Sequence, residues 1–151
     1  MVCTGPVTYR GHEQIKTDLD NLKAALQGIN PEEVFVPSSS ATNVEAQRRN
    51  EYYPSDEAYL HAIADAMRAE YESVAAGGII LQIDCPDLAM GRHIQYADLD
   101  LAGFRKAAAL HIEALNHATA NIPAEQLRMH VCWGNYEGPH HYDVAMADII
   151  D

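Results

Sequence analysis

The chain has 151 residues, a hydrophobic fraction of 48% and a charged fraction of 21%, which are typical of one globular domain with a sizeable core. Its formal net charge of -12 argues against nucleic acid and against an anionic membrane as partners, because both would repel it. No apolar run approaches the roughly 20 residues of a transmembrane helix, and the N-terminus lacks a secretory signal pattern. The 3 cysteines form no disulfide pattern, so we expect a reducing, cytoplasmic compartment.

The first part of the chain alternates strand-like and helix-like segments. Residues 2–9 are apolar and β-branched enough for a strand, and residues 12–27 place apolar side chains on one stripe of a helix. Residues 32–37 predict a second short strand. The polar stretch 38–54 that follows is predicted to be a loop, of a length that is common in functional loops.

The second part continues the same alternation. Ser55 is a predicted N-cap for a helix that ends at a pair of glycines. Residues 79–86 begin with a continuous apolar run, which is typical of a buried parallel strand. Asp100 precedes a third predicted helix over 104–121, and residues 126–133 predict a fourth strand.

This order predicts an α/β fold of one domain over residues 1–151, with parallel strands and right-handed crossovers. Two architectures fit the order equally well. A doubly wound open sheet is complete at this length, whereas a (β/α)8 TIM barrel needs about 250 residues, so four β/α units would be about half of one. Both architectures place functional groups at the carboxyl ends of the strands.

The end of the third predicted strand carries two polar residues on one side. Gln82 and Asp84 are two positions apart, so their side chains point the same way. A carboxylate at the end of a buried strand needs a partner to offset its desolvation. Asp84 would hold a cationic group of a substrate, or it would act as an N-cap or in a structural ion pair.

The fourth predicted strand ends in a His-x-Cys pair within the segment "RMHVCWGNYEGPHHYD". His130 and Cys132 would project together and offer an imidazole nitrogen and a thiolate to one cation, a donor set that suits zinc. The alternative is a buried core thiol beside a hydrogen-bonded core histidine. His140, His141 and Glu137 are further candidates, although an exposed turn with solvated side chains is the alternative for them.

Other histidines and cysteines predict little chemistry. His111 and His117 fall on the third helix without sharing a face, so we expect surface or packing roles for both. Cys3 and Cys85 are expected to be inert.

Three segments, "TGPVTY", "EYESVAAGGIILQIDCPDLA" and "HVCWGNYEGPHHYD", together resemble the catalytic domain of cobalamin-independent methionine synthase. The chain is most similar to the short, single-barrel members of that superfamily, which include the epoxyalkane:coenzyme M transferases. The resemblance runs from near Thr4 to near Asp148, and its most specific motifs are "LQIDCPDLA" and the His-x-Cys segment.

The resemblance implies a partial (β/α)8 barrel in which zinc binds a substrate thiol and presents it as a thiolate. His130 and Cys132 match the zinc pair of the family, and Asp84 matches the carboxylate that contacts the amino group of homocysteine. The methyl donor would be methyltetrahydrofolate in its polyglutamyl form. Cys85 stands where the methionine synthases have a glutamate, and a thiol resembling coenzyme M that attacks an epoxide is the alternative substrate.

The resemblance also implies a substrate pocket and a missing half. Gln82, Tyr136, Glu137 and His140 would line the pocket together with Asp84. The remaining zinc ligands of the family would lie further along than Asp151, so the chain is expected to be an inner portion of a longer barrel. A third hypothesis is an inactive half-barrel that associates with itself through its open edges.

Overall fold

The computed structural model describes residues 1–135 and 137–150 of the chain, which form a mixed α/β fold with parallel strands in two sheets. The strands are Val2–Cys3 (β1), Phe35–Ser39 (β2), Arg49–Asn50 (β3), Ile80–Asp84 (β4) and Leu127–His130 (β5). The helices are His12–Ala25 (α1), Ala41–Glu45 (α2), Asp56–Ala76 (α3), Gly91–Ile94 (α4) and Leu101–Thr119 (α5). Short 3-10 turns lie at Pro86–Leu88, Ala124–Gln126 and Met146–Asp148.

The main sheet contains β2, β4 and β5, which lie side by side in chain order. β4 is the central strand, and its Leu81 and Ile83 are buried, as its apolar run predicts. In the parallel register, Asp84 is the partner of Ser39 on one side and of His130 on the other. The last residues of the three strands therefore form one row at the carboxyl edge of the sheet.

One face of the main sheet is covered by a layer of long helices. Leu81 and Ile83 belong to a single core cluster that includes residues from all three of them: Ile15 and Leu19 of α1, Ile63, Tyr71 and Val74 of α3, and Ala114 and Leu115 of α5. Right-handed crossovers between strands that follow one another in order place their helices on the same face, which accounts for this layer. Fully burying one such Leu or Ile contributes about 1.5–3 kcal/mol to stability.

The opposite face of the main sheet is only partly covered by the described residues. Strand side chains alternate between faces, so Gln82 and Asp84 lie on the side away from Leu81. Phe35 is 44% exposed on this side, and the guanidinium of Arg128 lies 4.2 Å from the centre of its ring. A polar and an apolar group are thus both presented on a sheet face that the helix layer does not cover.

The helices begin where their capping residues predict. The side chain of Ser55 accepts a hydrogen bond from the backbone N–H of Ala58, and that of Asp100 accepts one from Gly103. α3 stops before Gly78, whose φ of 75° is a left-handed value that glycine adopts readily. Among the helices of the described residues, none combines the length and the apolar character that crossing a membrane requires.

The prediction of one long loop over 38–54 was wrong. The segment holds the last residues of β2, the short helix α2 and the short strand β3. Ser40 starts α2 because its side chain accepts a hydrogen bond from the backbone N–H of Asn43. A single good cap thus produces a helix of one turn inside a sequence that otherwise resembles a polar loop.

The predicted first strand over 2–9 is reduced to Val2–Cys3, and it does not join the main sheet. It pairs instead with β3 in a separate parallel ladder, through Val2 with Arg49 and Cys3 with Asn50. Pro6 has no backbone N–H to extend a ladder, and the N–H of Val7 donates to the Tyr53 hydroxyl at 2.8 Å. The sequence predicts four strands in one sheet. The structure instead has three strands in the main sheet and a separate pair, β1 and β3.

Candidate functional site

The row of residues at the carboxyl edge of the main sheet brings together two of the predicted site residues. The backbone N–H of Cys85 donates to the carbonyl of His130 at 2.9 Å, which ties the ends of β4 and β5 together. The side chain of Asp84 is partly buried, and the amide of Gln82 donates to its Oδ1 at 2.9 Å. The prediction that Gln82 and Asp84 share one side of the strand fits this contact.

The environment of Asp84 leaves it available to a ligand. Among the described residues, it makes no ion pair, and the turn that follows it is capped at Cys85 without a side-chain hydrogen bond. Neither structural alternative, an N-cap or an ion pair, is therefore seen in that part of the chain. Its Oδ1 is oriented by Gln82, and a carboxylate accepts several hydrogen bonds.

The zinc pair predicted from the sequence lies at the end of β5 rather than within it. β5 ends at His130, so Cys132 lies two residues beyond the strand instead of on it. His130 is exposed, Cys132 is partly buried, and Val131 between them packs against the hydrophobic core. Within the described residues, no third His, Cys, Asp or Glu completes a metal-ligand group with this pair.

A different group of three residues, one from α4 and two from the turn at 140–143, comes together in the fold. Nε2 of His93 lies 2.8 Å from Oδ1 of Asp143, and Nδ1 of His140 lies 3.2 Å from the same oxygen. The ligand atoms of His93, His140 and Asp143 all lie within 4.8 Å of one another, so this helix–loop triad can hold a metal ion. His140 was predicted as a candidate, whereas His93 and Asp143 were missed.

The triad is built on α4 and on the turn at 140–143. The imidazole of His93, which belongs to α4, is only 4% exposed, so the surrounding side chains restrict its position. The N–H of Asp143 is hydrogen bonded to the carbonyl of His140 at 3.4 Å, so one turn presents both loop ligands. The guanidinium of Arg92 reaches the carbonyl of Tyr142 at 3.4 Å and links α4 to the same turn.

The chain on either side of this turn is also fixed. The indole N–H of Trp133 donates to the carbonyl of Val144 at 2.7 Å, and Val144 is 2% exposed. Gly134 has a φ of 80°, and a Cβ there would overlap the sulfur of Met90. The left-handed backbone therefore favours glycine at this position, and a larger residue would also have to displace the side chain of Met90.

The charge state of the triad favours metal binding. Burial would by itself raise the pKa of the Asp143 carboxyl, but hydrogen bonds to His93 and His140 outweigh it and lower the pKa below its usual value. Asp143 is therefore an anion at neutral pH. Two imidazole nitrogens with one carboxylate oxygen form a donor set that transition-metal ions accept.

A second set of polar residues is buried where the chain leaves β2 and β4, and the sequence did not predict it. Oδ1 of Asp87 accepts from Ser40 at 3.1 Å, and Oδ2 accepts from Thr42 at 2.7 Å and contacts Nδ1 of His111 at 2.9 Å. The hydroxyl of Tyr96 lies 3.0 Å from Nε2 of His111. We refer to Ser40, Thr42, Asp87, Tyr96 and His111 as the buried cluster.

Burial shifts the pKa of one member of the buried cluster, Tyr96, and of one nearby thiol, Cys85. Burial raises the pKa of Tyr96 to about 12, with smaller contributions from nearby carboxylates. Burial likewise raises the pKa of the Cys85 thiol to about 12, so this thiol stays protonated at neutral pH, as an inert cysteine should.

Comparisons of the chain with protein-family models, with curated proteins and with solved structures found no match. The chemical interpretation therefore rests on the geometry of the chain's own residues. Two other predicted pocket residues add little to it: Glu137 is exposed, and Tyr136 lies outside the described residues.

Proposed function

We propose that this chain is the inner portion of a zinc-dependent enzyme that transfers a methyl or other alkyl group to a small-molecule thiol. The observation that carries the proposal is the row Ser39, Asp84 and His130 at the carboxyl edge of a parallel sheet, with Cys132 two residues further on. That edge is where α/β enzymes place their functional groups.

The architecture of such an enzyme would be a (β/α)8 barrel, of which the chain would supply about half. The main support is that the three strands of the sheet follow one another in chain order beneath one helix layer. A doubly wound sheet carries helices on both faces, whereas a barrel strand faces helices on one side and other strands on the other. Closure of a barrel would cover the open face around Phe35 and Arg128.

His130 and Cys132 are the residues that would hold the zinc ion. Their donor atoms suit zinc, and both side chains have access to solvent. The bound ion would lower the pKa of a substrate thiol and present it as a thiolate. Two protein donors leave room for the substrate sulfur and for ligands from the rest of the protein.

Asp84 would bind the ammonium group of a thiol such as homocysteine. A charge-assisted hydrogen bond to a partly buried carboxylate is stronger than one between neutral groups, and Gln82 would keep that carboxylate oriented. Glu137 and His140 would line the pocket in which methyltetrahydrofolate or another donor binds. In the transfer, the sulfur bonds to the alkyl carbon as the carbon leaves its donor atom, which keeps the electron pair and takes up a proton.

Arg128 favours a second candidate substrate. Arg128 is the register partner of Gln82 and lies on the same open face as Asp84. A guanidinium there would bind an anionic sulfonate, as in coenzyme M, which needs no carboxylate for an amine. The corresponding reaction would be the opening of an epoxide by the thiol.

The proposal is tested with Cys132→Ser in the full-length protein, and Cys3→Ser serves as the matched control because Cys3 is a partly buried thiol packed against the helix core. We expect Cys132→Ser to lose alkyl transfer, together with the zinc that this pair holds, while Cys3→Ser keeps both. Transfer that survives in Cys132→Ser would refute the zinc-thiol assignment.

Comparison of acceptors separates the two substrates. We expect Asp84→Asn to raise the KM for homocysteine at least about tenfold, since the loss of a charged hydrogen bond costs roughly 1.5–3 kcal/mol. The KM for coenzyme M should be unchanged in Asp84→Asn and raised in Arg128→Gln if coenzyme M is the acceptor. Without transfer to either thiol, the chain would instead be an inactive half-barrel that associates through its open edges.

A further inference from the structure

We propose that His93, His140 and Asp143 form a second metal site, specific for zinc-class transition ions, which links α4 to the turn at 140–143. This site is separate from the pair His130 and Cys132, and it does not depend on the proposed transfer reaction. It would act as a clamp that holds one wall of the carboxyl edge in place.

The distances fit a small transition ion. Zinc bonds to imidazole nitrogen and carboxylate oxygen are about 2.0–2.2 Å long, so neighbouring ligands of a tetrahedral shell lie about 3.3–3.6 Å apart. Oδ1 of Asp143 lies 2.8 Å from Nε2 of His93 and 3.2 Å from Nδ1 of His140. An ion that replaces the protons between these atoms would lengthen the two contacts to Asp143 slightly. Because all three ligand atoms lie within 4.8 Å of one another, it would draw the two imidazole nitrogens together by at most about 1.5 Å.

The triad is organised before any ion binds. The imidazole of His93 is 4% exposed on a helix, and Asp143 directly precedes Val144, whose side chain is buried. His140 and Asp143 come from one turn, so a single segment brings two ligands towards the third. A preorganised site loses less conformational entropy on binding than three independent side chains would.

The donor set selects the class of ion. Calcium and magnesium prefer shells made almost wholly of oxygen, whereas two imidazoles with one carboxylate suit zinc and its neighbours in the transition series. The side chains of His140 and Asp143 are 40% and 35% exposed, so an ion can reach the site from solvent. A fourth position would be taken by water or by a substrate atom.

The consequence for the fold is a connection between two distant parts of the sequence. His93 and Asp143 are separated by 50 positions, and their contact joins the segment after β4 to the segment after β5. Both segments lie at the carboxyl edge of the main sheet. An ion bound to both would stabilise the folded state in proportion to its affinity.

The test measures zinc binding to untagged, chelator-treated full-length protein. Isothermal titration gives the affinity, and metal analysis after dialysis gives the amount of zinc that is retained. The variants are His140→Ala and Asp143→Asn. His141→Ala is the matched control, because His141 is an exposed histidine beside the ligands but not one of them. Thermal unfolding of each metal-free variant shows whether it is folded.

We expect His140→Ala and Asp143→Asn to weaken one zinc site more than about 100-fold, since loss of even an outer-shell partner costs about 10–100-fold. His141→Ala and Cys132→Ser should keep that zinc. In the Cys132→Ser variant, cobalt bound in place of this zinc should give a spectrum without a cysteine-sulfur charge-transfer band, because the triad has no thiol.

Two results would overturn the second site. One is that the protein retains no zinc, in which case the triad is a hydrogen-bonded surface group only. The other is that the zinc persists in folded His140→Ala and Asp143→Asn. A zinc that is lost only in Cys132→Ser would contradict the triad while supporting the proposed alkyltransferase, so the two proposals fail separately.

Discussion

The two groups of histidine and aspartate in this chain use the same residue types and differ in what surrounds them. In the buried cluster, the side chains of His111 and Asp87 are 5% and 3% exposed, and both oxygens of Asp87 have partners. In the helix–loop triad, two imidazoles converge on one oxygen of Asp143, whose side chain is 35% exposed. In the first arrangement donors contact both carboxylate oxygens, whereas in the second both imidazoles contact the same oxygen.

Residue identity alone therefore does not distinguish a structural polar cluster from a binding site. A buried carboxylate costs free energy unless its oxygens are satisfied, so Asp87 has three partners, two from the start of α2 and one from α5. A surface carboxylate is hydrated in any case and needs no such set. Saturation of the polar atoms, rather than the presence of histidine, marks the buried cluster as structural.

The largest expected effect comes from removing the two aspartates in turn. Asp87→Ala should lower the free energy of unfolding by about 3–5 kcal/mol, because it leaves Ser40, Thr42 and His111 without their buried acceptor. Asp143→Ala should lower stability less, by about 1 kcal/mol, because His140 is 40% exposed and can bond to water, so that only the imidazole of His93 loses a buried partner. Urea unfolding of both variants measures the difference, and equal losses of stability would erase the distinction between the two groups.

A smaller loss of stability is expected from a substitution beside the helix–loop triad. Gly134→Ala forces a methyl group against Met90 at a left-handed backbone position, which we expect to cost about 1–3 kcal/mol. It should also weaken zinc binding to the triad by distorting the chain before the turn. Gly5→Ala is the control, because a Cβ there meets no neighbour.

Unfolding in urea and zinc titration of the Gly134→Ala variant measure both effects. If stability falls while zinc affinity stays at the wild-type value, the conformation at Gly134 does not position the triad. The site would then be positioned by α4, by the turn at 140–143 and by the contact of Trp133 with Val144.

The smallest expected effect concerns one hydroxyl of the buried cluster. Tyr96→Phe removes the group that contacts Nε2 of His111, which should lower stability by about 1 kcal/mol and leave zinc binding unchanged. Tyr142→Phe, at an exposed tyrosine beside the triad, is the matched control and should change neither quantity. A change in zinc affinity in Tyr96→Phe would show that the two groups are coupled.

Several helices and strands can be predicted from short sequence patterns alone. Ser55 and Asp100 predict the starts of α3 and α5 because a cap acts within three residues. The apolar run before Gln82 predicts the central buried strand, and alternation along that strand places Gln82 and Asp84 on one side. Periodicity and capping are encoded over a few residues, so they can be read without knowing the fold.

Only the tertiary structure decided which distant residues meet. The short strand β3 exists because Arg49 and Asn50 pair with the first residues of the chain, which no local pattern records. His93 meets Asp143 across 50 positions and His111 meets Asp87 across 24, in each case between a helix and a turn from another part of the chain. Such contacts depend on how whole elements stack, and stacking is a property of the assembled core rather than of any one segment.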